Sequence, residues 1–119
     1  MRNVEAVISE LNQQQIAGAI WLDGSFLTEK LNPDDVDIAL VISATVFRSL
    51  GASQRNYFDA FRQTSLYDQY RIDNYGIVID SNDPQGQWLY AYWLRQFGFS
   101  RTNKMKGIIQ IPLPFVVMP

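Results

Sequence analysis

The chain has 119 residues, with ten basic and twelve acidic side chains for a net charge of -2, 47 % hydrophobic and 13 % aromatic content, and neither cysteine nor histidine. That length predicts a single domain over 1–119, with room for a core but none for a separate substrate-holding domain. The two missing residue types exclude thiolate and imidazole metal sites, cysteine nucleophiles and Ser-His-Asp triads, so any metal must be a hard cation held by oxygen.

In chain order, Val4, Val7, Ile8 and Leu11 recur at helical spacing behind Asn3, which predicts an amphipathic helix over 4–13 with Asn3 as its cap and the polar Asn-Gln-Gln-Gln run as its end. The apolar run 16–22 predicts a buried strand that delivers the chain into Asp23-Gly24. Residues 26–35 read as a connector broken at Asn32-Pro33, and 36–42 as a second buried strand, next to the first in one sheet. Residues 44–64 have helical character interrupted at Gly51, which predicts two short helices with Tyr57, Phe58 and Phe61 as an apolar stripe in the second.

A third strand is predicted over 70–80 from its alternating, β-rich composition. Asp83 as cap, Pro84 at the first helical position and Gly98 as stop then mark a helix over 84–97. Its Trp88, Leu89, Tyr92, Trp93 and Phe97 cover more than one face, so the helix is expected to pack on the sheet and also to meet a protein partner or a second copy of the chain. A last strand is predicted over 106–113, followed by a tail too apolar to stay free in water. The fold class is therefore α+β, a mixed sheet of about four strands with helices packed on it.

The N-terminal segment lacks the unbroken apolar region of a signal peptide, and no stretch reaches the ~18 apolar residues of a membrane span. The expectation is a cytoplasmic protein without membrane association. The net charge gives no bulk attraction to a polyanion, so nucleic-acid binding would need a local basic patch.

The acids at the head of the second strand carry the chemistry. In an extended strand residues i and i+2 share a face about 7 Å apart, so Asp35 and Asp37 stand together with Ala39 and Val41, while Val36, Ile38, Leu40 and Ile42 take the other face. Two neighbouring anions repel and are costly to desolvate, and with no histidine in the chain a Mg²⁺ or Mn²⁺ ion is the natural companion. Upstream, Gly24-Ser25 follows a strand, where glycine lets a phosphate approach the backbone and the serine N–H and hydroxyl can donate to it. A lone Asp-x-Asp after Asn-Pro is an ordinary turn; the linkage to Gly-Ser is what distinguishes it.

The stretch Trp21 to Ile42, with a strand, Gly24-Ser25, nine intervening residues and Asp35-Val36-Asp37 heading an apolar strand, resembles the signature of the DNA polymerase β-like nucleotidyltransferase superfamily. It is similar to small bacterial members of that fold in which Gly-Ser-Phe and Pro-x-Asp-x-Asp segments recur. The resemblance implies a minimal nucleotidyltransferase fold. Gly24 and Ser25 would hold the triphosphate of a nucleoside triphosphate, ATP being the first candidate, and Asp35 and Asp37 would bind two metal ions. A third carboxylate from a later strand completes the family's metal site, and Asp73 is the expected residue, with Asp80 as rival. Some minimal relatives act as antitoxins that adenylylate a partner toxin. Where well-studied minimal members carry Ala-Arg-Gly after Gly-Ser, this chain has Phe26-Leu27-Thr28; Lys30, Lys104 and Lys106 are the candidates to supply the missing positive charge.

A haloacid dehalogenase-type Asp-x-Asp lies at the C-terminal end of its strand, a nucleotide-sugar Asp-x-Asp belongs to a much larger domain, and an EF-hand needs glycine and glutamate positions absent after Asp37. Two readings are left. One is transfer of a nucleoside monophosphate to a hydroxyl on protein or RNA; the other is an inactive, antitoxin-like binding module of the same fold. Convergence of Asp35, Asp37 and a third carboxylate around an open cleft with Ser25 facing it favours the first; Asp73 pointing away, with Trp21 or Phe26 filling the cleft, favours the second.

Overall fold

A computed structural model describes residues 2–23, 36–65, 72–98 and 108–116. Among the described residues eight elements follow one another in the expected order: helix α1 (Arg2–Gln13), strands β1 (Gly18–Asp23) and β2 (Val36–Ser43), helices α2 (Ala44–Ser49) and α3 (Ala52–Gln63), strand β3 (Ile72–Ile79), helix α4 (Pro84–Gly98) and strand β4 (Ile108–Leu113). The strands form one mixed sheet in the order β3-β2-β1-β4. β1 runs antiparallel to both β2 and β4, and β2 runs parallel to β3 across the α2–α3 crossover. The result is an α+β domain with helices on both faces of the sheet.

Element ends follow local chemistry. α1 starts at Arg2, so Asn3 lies inside its first turn instead of capping it. The helix closes where Gln15 turns to a positive φ of 57°, and Gln54 of α3 donates from Nε2 to the carbonyls of Gln14 and Gln15 at 3.1 and 3.2 Å, satisfying acceptors the helix end leaves open. Ser43 caps α2 by accepting from the Val46 N–H at 3.1 Å. The break at Gly51 separates α2 from α3 as the sequence predicts, and Gln54 Oε1 reaches back to accept the Gly51 N–H at 3.1 Å. Asp83 Oδ1 accepts from the Gln85 N–H at 3.0 Å with Pro84 opening α4. In that first turn Gly86 lies against the backbone carbonyl of Asp80, so closely that a Cβ would collide with it. That contact brings α4 back over the sheet immediately after β3.

Strand alternation divides the apolar residues between two cores. On one face Ile20, Leu22, Ile38, Leu40, Ile42 and Ile72 meet α1 through Val4, Val7 and Leu11, and α3 through Phe58 and Phe61. On the other, Trp21, Ala39, Val41 and Ile77 form a smaller core, against which Tyr75, Ile79 and Ile108 pack together with Trp93 and Leu94 of α4. The expected separation of Ile38, Leu40 and Ile42 from Ala39 and Val41 is thus observed. β3 does not alternate cleanly: Ile72 and Ile77 are its buried residues and the rest are half-buried, as suits the edge strand of a sheet covered on both sides. Beyond β4 the chain is clamped to α1, with Phe115 N–H donating to Asn12 Oδ1 at 2.8 Å and Asn12 Nδ2 donating to the Phe115 carbonyl at 3.0 Å. Among the described residues no helix is long and apolar enough to cross a membrane.

Phe58 is the pivot of the larger core, fully buried and edge-on to Phe47 at 5.7 Å between ring centroids. Phe58→Ala is expected to lower unfolding free energy by about 3–5 kcal/mol, the usual cost of emptying a packed aromatic site. Urea unfolding of the two proteins, with the m-value checked for constancy, measures it.

Candidate functional site

The parallel register of β2 and β3 sets Asp37 opposite Asp73, with Ala39 opposite Tyr75 and Val41 opposite Ile77. Residues paired in register share a face, and neighbouring strands lie about 4.8 Å apart. The two aspartates therefore stand side by side at the heads of two parallel strands, both half-buried, on the face that α4 covers. Asp73 precedes Tyr75 by one strand period, so the tyrosine lies on that face too. Its hydroxyl senses both acids: burial pushes its pKa up first, and the negative charges of Asp37 and then Asp73, followed by Tyr92, push it further. Both carboxylates thus act electrostatically on the Tyr75 hydroxyl.

Next to the acids is an aromatic wall. Tyr75 and Trp93 lie 5.2 Å apart by ring centroid, Trp93 meets Tyr92 edge-on at 5.5 Å, and Tyr92 stacks on Trp88 at 5.7 Å and 15°. Trp21, 2 % exposed, forms the floor of this face. It meets Tyr90 edge-on at 5.6 Å and donates from Nε1 to Gln110 Oε1 at 2.9 Å. On the outer side of β3 a polar cavity of about 170 Å³ is lined by Arg62, Gln63, Thr64, Ser65, Asp73, Asn74 and Tyr75. Asn74 shapes it by donating from Nδ2 to the carbonyls of Phe61 and Thr64 at 2.6 and 2.7 Å, which fixes the end of α3 to the start of β3.

Of the residues expected from sequence, Asp37 and Asp73 are brought together. Asp80, the rival third acid, is at the opposite end of β3, where its Oδ1 accepts the Asn82 N–H at 3.0 Å in a turn. Gly24, Ser25, Lys30, Asp35, Lys104 and Lys106 lie outside the described residues, as does Phe26. Among the described residues no group of three or more acids, cysteines or histidines gathers at one point. Sequence reasoning passed over Tyr75 and Arg62. The strand period that pairs Asp35 with Asp37 also pairs Asp73 with Tyr75, so the tyrosine was within reach. Arg62 was not, because it arrives from α3 by tertiary packing.

The raised Tyr75 pKa has a definite consequence in alkali. Between the ordinary tyrosine value of about 10 and the higher folded value, the unfolded chain has lost a proton that the folded chain keeps, so stability falls as pH rises through that window. Titration of ¹³Cζ-labelled tyrosine by NMR is expected to place Tyr75 above the ordinary range, and Asp37→Asn to move it down. An unchanged Tyr75 titration in that variant would separate the acid from the hydroxyl.

No curated protein and no solved structure matches this chain. One family model does, over residues 1–112, with the description "family of unknown function (DUF6932)". The chain belongs to that family.

Proposed function

We propose that this chain is a minimal nucleotidyltransferase-like domain that moves a nucleoside monophosphate from a nucleoside triphosphate, ATP first among them, to a hydroxyl on protein or RNA. The observation that carries the reading is the in-register pairing of Asp37 with Asp73 at the heads of two parallel strands, directly downstream of Gly24-Ser25 and Asp35 in sequence. The donor set suits Mg²⁺ or Mn²⁺: both described ligands are carboxylates, half-buried and side by side in register, and oxygen is what these ions prefer. Asp35, Asp37 and Asp73 would hold the ions, which when bound neutralise charge on the phosphate oxygens. Gly24 and Ser25 would hold the β and γ phosphates through backbone N–H groups, with Lys30 adding positive charge. The acceptor oxygen bonds to the α phosphorus, the bond from that phosphorus to the β-phosphate bridging oxygen breaks, pyrophosphate leaves, and Asp73 takes the acceptor's proton. The Tyr75–Trp93 wall keeps water from one side of the acids.

One observation favours the second reading, a partner-binding module without catalysis. Trp88 is 68 % exposed on α4, with Tyr90 and Tyr92 also exposed beside it, an aromatic surface of the kind that anchors protein interfaces. Val116 at the end of the clamped tail is exposed as well. A toxin-like protein or a second copy of the chain is the partner this reading would take, at α4 and the tail. The two readings are compatible if a partner supplies the acceptor.

Thermal unfolding with ATP, with Mg²⁺, and with both is expected to show by far the largest stabilisation for the combination, about 2.7 kcal/mol at a hundredfold excess over Kd. Asp37→Asn is expected to abolish it. A wild-type protein indifferent to Mg²⁺ and ATP together would leave the binding module.

A further inference from the structure

The cavity at the edge of β3 pairs opposite charges, Arg62 and Asp73, across a lining of amide and hydroxyl groups from Gln63, Thr64 and Asn74. Arg62 owes its place to Gly76. A Cβ at residue 76 would overlap the Arg62 Cγ and lie 3.0 Å from its Cδ, so only glycine lets the arginine stem cross the strand here. The guanidinium carbon lies 5.4 Å from the Phe58 ring centre, and the aliphatic stem is held between that ring and the strand, which reduces the entropy lost when the head group binds. Among the described residues no carboxylate forms an ion pair with it. Two carbonyls at this helix end, those of Phe61 and Thr64, accept from the Asn74 amide, which lessens the negative charge an anion would meet there.

We propose that this cavity is the acceptor subsite and that it takes an alcohol carrying a phosphate group, the hydroxyl toward Asp73 and the phosphate on Arg62; the assignment rests on the nucleotidyltransferase reading. The charges select this class. A bare anion meets Arg62 but is repelled by Asp73, and a bare alcohol leaves the arginine unused. A ligand with an anion and a hydroxyl donor a few bonds apart satisfies both. Size agrees: at about 170 Å³ the cavity is close to the ~150 Å³ of one that accommodates a single benzene ring, enough for a phosphate and a short carbon chain.

The test is an ¹⁵N NMR titration of the full chain, at constant ionic strength, with glycerol 3-phosphate, inorganic phosphate and glycerol in separate arms. Saturable shifts are expected at the Ser65, Asn74 and Tyr75 amides, in the order glycerol 3-phosphate, then phosphate, with glycerol silent. Arg62→Ala is expected to weaken glycerol 3-phosphate at least about tenfold, the loss of one charge-assisted contact, and Arg62→Lys to weaken it less. Asp73→Asn is expected to tighten inorganic phosphate by removing the repulsion. Arg62 is exposed, so its variants are expected to fold, and their amide dispersion checks this. No saturable shift at these amides, or equal binding in Arg62→Ala, overturns the subsite; if ATP with Mg²⁺ still acts at Asp37, the nucleotidyltransferase reading survives that failure. Glycerol 3-phosphate bound while ATP with Mg²⁺ has no effect overturns the acceptor assignment together with the reading beneath it.

Discussion

The parallel pairing of β2 with β3 governs everything proposed for this chain. Side chains in a parallel ladder line up residue for residue, so the register that sets Ile38 and Ile72 into the larger core also sets Asp37 beside Asp73. A slip of one residue would turn Ile38, Leu40 and Ile42 out of that core and draw the aspartate into it, a loss of several buried side chains at about 1.5–3 kcal/mol each. The acids are therefore held by apolar packing on the opposite face of the strand, and their mutual repulsion is carried by the stability of the whole sheet.

α4 gives the site its second character. Gly86 docks the helix on the Asp80 carbonyl, Trp93 and Leu94 press on the small core, and Trp88, Tyr90 and Tyr92 continue the aromatic surface into solvent. One helix thus borders the carboxylates and offers an outer face. The edge of β3 is the other approach to Asp73. There Arg62 crosses the strand at Gly76, and the polar cavity opens away from the aromatic wall.

Much of this was legible in the sequence. Period-2 alternation separates Ile38, Leu40 and Ile42 from Ala39 and Val41, and Asp83-Pro84 marks the start of α4 to the residue. The break at Gly51 was likewise visible, because a glycine in a helical run both costs helix stability and offers a cap position. Asp73 over Asp80 was a choice between strand start and strand end, and the parallel register is what puts the first beside Asp37. Asn3 misled because a good capping residue close to the terminus does not prevent one more turn from forming ahead of it. Arg62, the Asn74 clamp and the Gly86 contact depend on elements far apart in the chain meeting at one strand edge, and no local pattern encodes that.

The central claim is that Asp37 and Asp73 share a divalent cation. Paramagnetic broadening by substoichiometric Mn²⁺, read amide by amide, tests it without requiring any activity. The account predicts selective loss of the Asp37, Ile38, Asp73 and Asn74 signals in the wild type and their recovery in Asp37→Asn. Broadening centred instead on Asp80 and Asp83 at the far end of β3, or none at the strand heads, would contradict it.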